Sequence, residues 1–395
     1  MMRAERAVSG LNIDNIFIYV ADAVRWDTLP KSVAQRGVVL KSVAGSIHSP
    51  TSFATLVTGR YMPSHGVTDF DCRIPESMFT LFDLDTHETR FINSIGVSGS
   101  GDPIYSVLDQ TPVGFQNTFD TVSEPFVIME RGQGGHAPYG GFEGTAREYF
   151  QARKNLSVEA IKEEYRDGVQ RDAEVFSSRV SKLESKGLLE DTLVIYTSDH
   201  GELLGEGGIF GHNGPIRPEL VYVPTVFIHP DLPRTESSGH FNHINLLSTV
   251  LDPLGNEVEN QSLGSSPDTG HDVAFSFYRK EHSLPYVPFS GVTEYDSVWN
   301  AEGGFVFSRS ARYKRGLGLI GNLFFSPTKV MTRKKKIQCM RSYWNGLKRF
   351  GEPPGTSDEF DIAIQDWKQN VKTHSNSISL NQDAKNRLED LGYIN

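Results

Sequence analysis

Residues 15–22 read NIFIYVAD, an apolar run closed by Asp22. A run this short, rich in branched and aromatic residues, fits a strand of a parallel sheet buried on both faces. The pattern returns in TLVIYTSD at 192–199, which also ends in an acid, Asp199, and without the acid in VVLKSVA at 38–44 and VPTVFIH at 223–229. Between these runs, Ile161, Tyr165, Val169, Phe176, Val180 and Leu183 recur at spacings of three, four or seven within 157–186. That predicts a long amphipathic helix, stopped by Gly187. SPTSFATLVTG at 49–59 predicts a second helix, capped by Ser49 or Thr51 and ended by Gly59. Residues 240–255 predict a third helix, and the tail SLNQDAKNRLEDLGYIN a final helix with a short extension. Turn signals at Gly99–Gly101 and Pro103 interrupt the mixed stretch 90–120, and RGQGGHAPYGG at 131–141 is a glycine-rich loop. Strands separated by helices predict an α/β fold with a central, mostly parallel sheet covered on both faces. Beyond about residue 262 the periodicity weakens, so 1–262 is expected to form the core and 263–395 a smaller C-terminal subdomain.

The 395 residues are 38% hydrophobic and 22% charged, as in a globular protein, and suffice for one large domain plus an appendage. No run of eighteen apolar residues is present, and the polar start MMRAERAVSGLN lacks a secretory pattern. Cys72 and Cys339 are the only cysteines, too few for a disulfide framework or a zinc cluster, so a cytoplasmic location is expected. No nucleic-acid partner is expected, and the sequence gives no reading of oligomeric state. The net charge of −10 is unevenly spread: from Arg309 to Arg349 there are 12 Lys and Arg residues and no acid. Such a segment can meet a polyanion or an anionic membrane surface, the bland alternative being a solvated face.

The chemistry-bearing residues sit at the strand ends, where doubly wound sheets bind ligands. Asp22, Asp199 and His200, with the hydroxyl of Ser49, would suit one divalent cation. Hard oxygens favour Ca²⁺, Mg²⁺ or Mn²⁺, and the imidazole tilts the choice toward Mn²⁺ or Zn²⁺. We place Ca²⁺ or Mn²⁺ first, with Mg²⁺ or Zn²⁺ as alternatives. The cation would both activate a hydroxyl and neutralise a bound anion. Several hydroxyls compete, since SIHSPTSFATLVT at 46–58 carries Ser46, Ser49, Thr51, Ser52, Thr55 and Thr58.

The order of these pieces resembles the sulfatase-like family of the alkaline phosphatase superfamily. NIFIYVADAVRWDTL resembles its first metal strand, and SPTSFATLVTGRYMPSHGV its nucleophile helix with the TGR and HG anchors. GGHAPY resembles its substrate-loop signature, and DTLVIYTSDHGELLGEGGIFGHNG its second metal strand and following loop. The resemblance covers residues 12–255 well and the rest thinly. It implies an alkaline-phosphatase-like three-layer sandwich, with Asp22, Asp199, His200 and Ser49 as metal ligands. It also implies Ser49 as the nucleophile, with Thr51 the second candidate, and His136 and His212 as residues that hold the anion or protonate the leaving group. His65 and Arg60 would tie the nucleophile helix down, and Arg25 would meet either the anion or Asp27.

Three departures stand out. Ala23 occupies the position of a second aspartate. The local sequence SIGVSGSGD lacks the Lys-x-His element. Phe53 replaces the arginine of the Cys/Ser-x-Pro-x-Arg signal for formylglycine, which argues against that modification at Ser49 and for an unmodified, metal-activated hydroxyl. The implied activity is a metal-dependent sulfuric ester hydrolase acting on a sulfated glycan or small sulfate ester. The alternatives are a phosphodiesterase, phosphonate hydrolase or phosphotransferase using unmodified Ser49 or Thr51, and a catalytically impaired relative that binds anions.

Overall fold

The computed structural model describes residues 8, 10–95, 102–113, 118–212, 214–255, 265–283, 290–320, 333–374 and 376–391. The sequence features at Gly99–Gly101, most of SIGVSGSGD, and the end of the C-terminal extension lie outside these residues.

Seven strands form the main sheet: β1 (Asn15–Ala21), β2 (Val38–Val43), β3 (Glu88–Asn93), β4 (Phe126–Gly132), β5 (Thr192–Thr197), β8 (Tyr222–Ile228) and β9 (Thr235–Asn242). Two further short strands, β6 (Leu203–Leu204) and β7 (Phe210–Gly211), pair in the loop after β5. The main sheet runs in the order β3-β4-β1-β5-β8-β2-β9. Only β8 is reversed; its neighbours β5 and β2 both pair with it antiparallel, and the remaining pairings are parallel. The mostly parallel sheet read from the apolar runs is therefore present.

Alternation along β1 divides the core. Ile16, Ile18 and Val20 join one apolar cluster with Phe53, Leu56 and Val57 of helix α1 (Ser49–Thr58). Phe17, Tyr19 and Ala21 face the other way, onto Ile161, Tyr165, Val169, Phe176, Val180 and Leu183 of helix α2 (Val158–Ser185). Both faces of the sheet are thus covered, giving three layers. Gly59, at φ 61°, ends α1 in the left-handed conformation that favours glycine.

Three sequence expectations need correction. His48, not Ser49 or Thr51, is the N-cap of α1; Ser49 is already helical, and no side-chain cap bond is made. Residues 240–242 close edge strand β9, and the helix expected over 240–255 is α3 (Leu246–Leu251). The polar sequence TESSGHFN hides an edge strand, which has only one neighbour to pack against. Arg131 and Gly132 belong to β4, so the glycine-rich loop starts at 133.

The C-terminal part builds a separate antiparallel sheet of β10 (Ala274–Ser283), β11 (Ser290–Trp299), β12 (Gly303–Ser308) and β13 (Leu347–Gly351), in that order. Helices α4 (Arg312–Ile320) and α5 (Arg333–Trp344) lie between β12 and β13. On β10, Ala274 and Tyr278 pack toward Val43 and Ile47 of the main body. Phe275 and Phe277 pack instead with Phe360, Ile364 and Trp367 of helix α6 (Ser357–Asn370). The predicted final helix, α7 (Gln382–Asp390), returns Leu388 to the first core cluster. Among the described residues, no helix is long and apolar enough to cross a membrane.

Candidate active site

β1 and β5 are neighbours in parallel register, with Val20 opposite Thr197, so their following residues emerge side by side. Asp22, Asp199 and His200 each lend one atom to a buried group whose ligand atoms all lie within 4.8 Å of one another. The loop after Asp22 is held by Ala23, whose left-handed backbone (φ 57°) turns its N–H onto Asp199 Oδ1 at 3.1 Å. Its carbonyl accepts from Tyr165 of α2 at 2.8 Å. The glycine-rich loop then closes over this turn. Gly135 N–H donates to the Asp22 carbonyl at 2.7 Å, and a Cβ at Gly134 would fall 2.1 Å from the same oxygen.

Helix α1 delivers Ser49 to the cluster. Ser49 Oγ lies 3.0 Å from His200 Nε2, while His200 Nδ1 lies 2.9 Å from the Gly201 carbonyl and donates to it. That bond fixes the tautomer and turns the Nε2 lone pair toward Ser49 and the carboxylates. Ser52 Oγ donates to the Asp199 carbonyl at 2.5 Å, locking α1 to the end of β5. It is Ser49, not Thr51, that makes the contact with His200.

Two buried oxygens, Asp22 Oδ1 and Asp199 Oδ2, have no hydrogen-bond partner among the described residues. Orphaned carboxylate oxygens facing an imidazole nitrogen are costly unless a cation satisfies them, so the donor set fits a divalent ion. Electrostatics agree. Burial and the charge of Asp22 push the Asp199 carboxyl upward. Burial also works against ionisation of Asp22, but the Arg131 guanidinium and three nearby imidazoles hold it down at about 2.

Arg131 escaped the sequence reading. It lies fully buried at the end of β4, next to β1, and donates from Nε (2.9 Å) and Nη2 (2.5 Å) to Asp22 Oδ2. Its guanidinium carbon sits 5.5 Å from the ring centroid of Phe53, the residue standing where the formylglycine signal has arginine. A guanidinium therefore reaches the site from another strand. The available signal was the pair Glu130-Arg131 inside the apolar run FVIMERG, since buried charges need partners.

His136 and His212 come together beside the cluster. Their ring centroids are 5.6 Å apart, and the His212 ring is 4.4 Å from that of His200. His212 Nδ1 meets Glu202 Oε2 at 2.9 Å, and Glu202 Oε1 accepts from Tyr139 OH at 2.9 Å. Burial raises the Glu202 carboxyl to about 7; burial, with His200 and His136, pushes His212 well down. The two groups thus compete for one proton. Glu202 directly follows Asp199-His200-Gly201 and went unread, because it lies within a motif already assigned to metal binding. Lys280 of β10, 9% exposed, was also missed; its charge acts on both His48 and His212.

His65 and Arg60 are the residues expected to tie the nucleophile helix down, and Arg25 the one expected to meet the anion or Asp27. His65 binds Thr55 Oγ1 at 3.2 Å and accepts from Val67 N–H at 3.1 Å. Arg60 reaches Ser64 Oγ at 3.5 Å. Arg25 is held by Asp27 at 2.7 Å and Glu206 at 3.1 Å, not by the cluster. Behind the site, Asp172 of α2 accepts from Tyr19 OH at 2.8 Å, and burial raises its carboxyl to about 6. A raised carboxyl favours the fold below the unfolded pKa, near 4, and that contribution is lost as pH rises through 6. Asp172→Asn is therefore expected to stabilise the protein by about 2–3 kcal/mol at pH 8, with the advantage fading toward pH 4. Thermal midpoints at the two pH values check this; an equal difference at both would refute it.

Comparison with known proteins bears on this site. The sulfatase family matches residues 102–256. The low-salt glycan biosynthesis sulfotransferase Agl7 of Haloferax volcanii is 29% identical, with 96% of each chain covered. A 2-O glycosaminoglycan sulfatase superposes with a TM-score of 0.56 at 15% identity, over 92% of this chain and 95% of that one. Phosphonate monoester hydrolase of Agrobacterium radiobacter gives 0.51 at 14%, over 90% and 94%. The chain is thus similar to sulfatases and to a glycan-biosynthesis sulfotransferase, in line with the resemblance to the sulfatase-like family of the alkaline phosphatase superfamily. Its coarse class is that of a sulfatase-like hydrolase, and its fold is the alkaline-phosphatase-like sandwich with an added C-terminal sheet.

Proposed function

We propose that the protein is a metal-dependent sulfuric ester hydrolase acting on a sulfated glycan or small sulfate ester, with Ser49 as the nucleophile. The observation that carries this reading is Ser49 Oγ at 3.0 Å from His200 Nε2, inside a cluster with two orphaned carboxylate oxygens. Asp22, Asp199, His200 and Ser49 would hold the cation. When bound, it would supply positive charge that lowers the proton affinity of a hydroxyl and offsets that of the anionic ester. Ser49, fixed on α1, attacks sulfur in line with the leaving alcohol. His136 and His212 face the same space, and the proton shared between His212 and Glu202 is the one delivered to the leaving oxygen. Tyr139 fixes Glu202, so the proton carrier is pre-oriented. Arg131 balances Asp22 and keeps that carboxylate ionised. The 1–262 and 263–395 division is retained as a proposal, with Lys280 bringing the C-terminal part to the site.

One observation favours a second outcome of the same chemistry. The relative aligned over 96% of the chain is named a sulfotransferase of glycan biosynthesis. The sulfate ester on Ser49 would then pass to an acceptor alcohol in place of water. The neighbouring phosphonate monoester hydrolase keeps phosphorus esters in the comparison.

Treatment with a chelator is expected to lower turnover of 4-nitrophenyl sulfate by about 100-fold or more, with recovery on adding Mn²⁺ or Ca²⁺. Adding a glycan acceptor and following labelled sulfate separates transfer from hydrolysis. Preference for bis-nitrophenyl phosphate over the sulfate would move the substrate to phosphorus. Full activity in chelator would remove the cation from the mechanism.

A further inference from the structure

Helix α5 carries its apolar stripe on the wrong side for a core helix. Cys339, Ser342 and Tyr343 face inward and are buried. Ile337, Met340 and Trp344, spaced by three and four, form an outward face that is 46%, 51% and 69% exposed. Trp344 is thus mostly bare, whereas Trp299 is fully buried and Trp367 only 9% exposed. Leu347, beginning β13, extends the stripe at 48% exposure.

Cations border this stripe. Arg341, Lys348 and Arg349 line an open hollow of about 340 Å³ between the end of α5 and β13, together with Arg217. Arg217 is engaged by Glu219 at 3.2 Å, and Lys348 donates to the Ser342 carbonyl. Arg341 and Arg349 have no acidic partner among the described residues. Burial, and then the charges of Arg217 and Arg315, push the Lys348 amine down to about 8. The whole stretch from Arg309 to Arg349 holds no acid, in a chain whose net charge is −10.

We infer that the outward face of α5, with the hollow against β13, docks on an anionic lipid bilayer: lipid phosphates enter the cationic hollow while Ile337, Met340 and Trp344 enter the headgroup boundary. The apolar stripe decides between a bilayer and a soluble polyanion. A sulfated or phosphorylated polymer would use the cations and leave four exposed apolar side chains without a role. A basic helix with tryptophan and aliphatic residues on its free face has the composition of an interfacial anchor. The contact adjoins the loop after His200, where Ser342 Oγ of α5 donates to the carbonyl of Gly207 at 3.2 Å. It does not depend on which ester is cleaved.

The test is co-sedimentation of the full chain with vesicles of phosphatidylglycerol and, separately, of phosphatidylcholine. The protein is expected to partition at least about tenfold more strongly onto the anionic vesicles, and less so as salt rises. Brominated lipid should quench its fluorescence, and W344F should lose that quenching. M340S/W344S and R341Q/R349Q should each reduce partitioning about tenfold, while thermal midpoint and turnover of 4-nitrophenyl sulfate stay at the parent level. Equal partitioning onto both vesicle types, or no quenching, would overturn the inference. So would M340S/W344S binding both anionic vesicles and heparin as tightly as the parent, because the surface would then be a polyanion site.

Discussion

Replacing Ser49 by alanine is expected to lower turnover by about 10³-fold or more, with the thermal midpoint nearly unchanged. The hydroxyl is the atom that α1 aims at His200 Nε2, while His48, not Ser49, is the N-cap of the helix. The same substitution at Thr51, on the same helix turn but without a contact to His200, should leave turnover within a few-fold of the parent. That pair of results distinguishes the two hydroxyls directly. The peptide containing Ser49 is expected to show the mass of an unmodified serine, because Phe53 breaks the signal for formylglycine. An aldehyde at position 49 would instead restore the usual sulfatase nucleophile. If Ser49→Ala retains activity, or Thr51→Ala loses it, the nucleophile has been misassigned.

How much of this was legible in the sequence depended on whether a residue's burial leaves a periodic trace. β1 and β5 were readable because strands covered on both faces are continuous apolar runs, and both end in the acids that define the cluster. Helix α2 was readable because its apolar positions repeat down one face. Strand β9 was not, since an edge strand with one covered face reads TESSGHFN, nearly all polar. The C-terminal sheet was also missed: along β10 both alternate sets of residues are buried, one toward the main body and one toward α6, so no polar face marks the period. At the site, Asp22, Asp199, His200 and Ser49 came from strand ends and motif order, and the structure brings all four together. Lys280 and Arg131 did not, because each acts on residues of a distant segment, and pairing between segments has no sequence period; Glu202 was hidden inside a motif already assigned to the metal. The cap reading of Ser49 failed for a related reason. A helix N-terminus announces a polar residue, but only tertiary contact decides which way its side chain turns.

Arg131→Met is expected to destabilise the metal-free protein by about 3–5 kcal/mol at pH 7, a cost typical of leaving one member of a buried ion pair alone. Asp22 and Arg131 are both fully buried, and two hydrogen bonds join them. With the guanidinium gone, burial would drive the Asp22 carboxyl upward from about 2. The sign of the pH dependence follows. In the parent, a depressed carboxyl contributes stability fully above its unfolded pKa, near 4, and loses it as pH falls toward 2. The gap between parent and variant should therefore be widest at neutral pH and shrink below pH 4, a trend that simple loss of packing against Phe53 would not produce. Asp22→Asn in the same background should recover part of the stability, since the Asp22 charge is then removed while Asp102, 3.7 Å from Arg131 in the parent, still lacks that cation. A divalent cation should raise the thermal midpoint of Arg131→Met more than that of the parent, because Asp22 no longer has a competing cation and binding stabilises the folded form. Turnover should still fall, by about 100-fold, because the guanidinium that holds Asp22 in place is lost. A variant as stable as the parent at pH 7, or a stability gap independent of pH, would mean that Arg131 does not neutralise Asp22. The compensation for Phe53 would then have to come from elsewhere, with Lys280 the next cation to test.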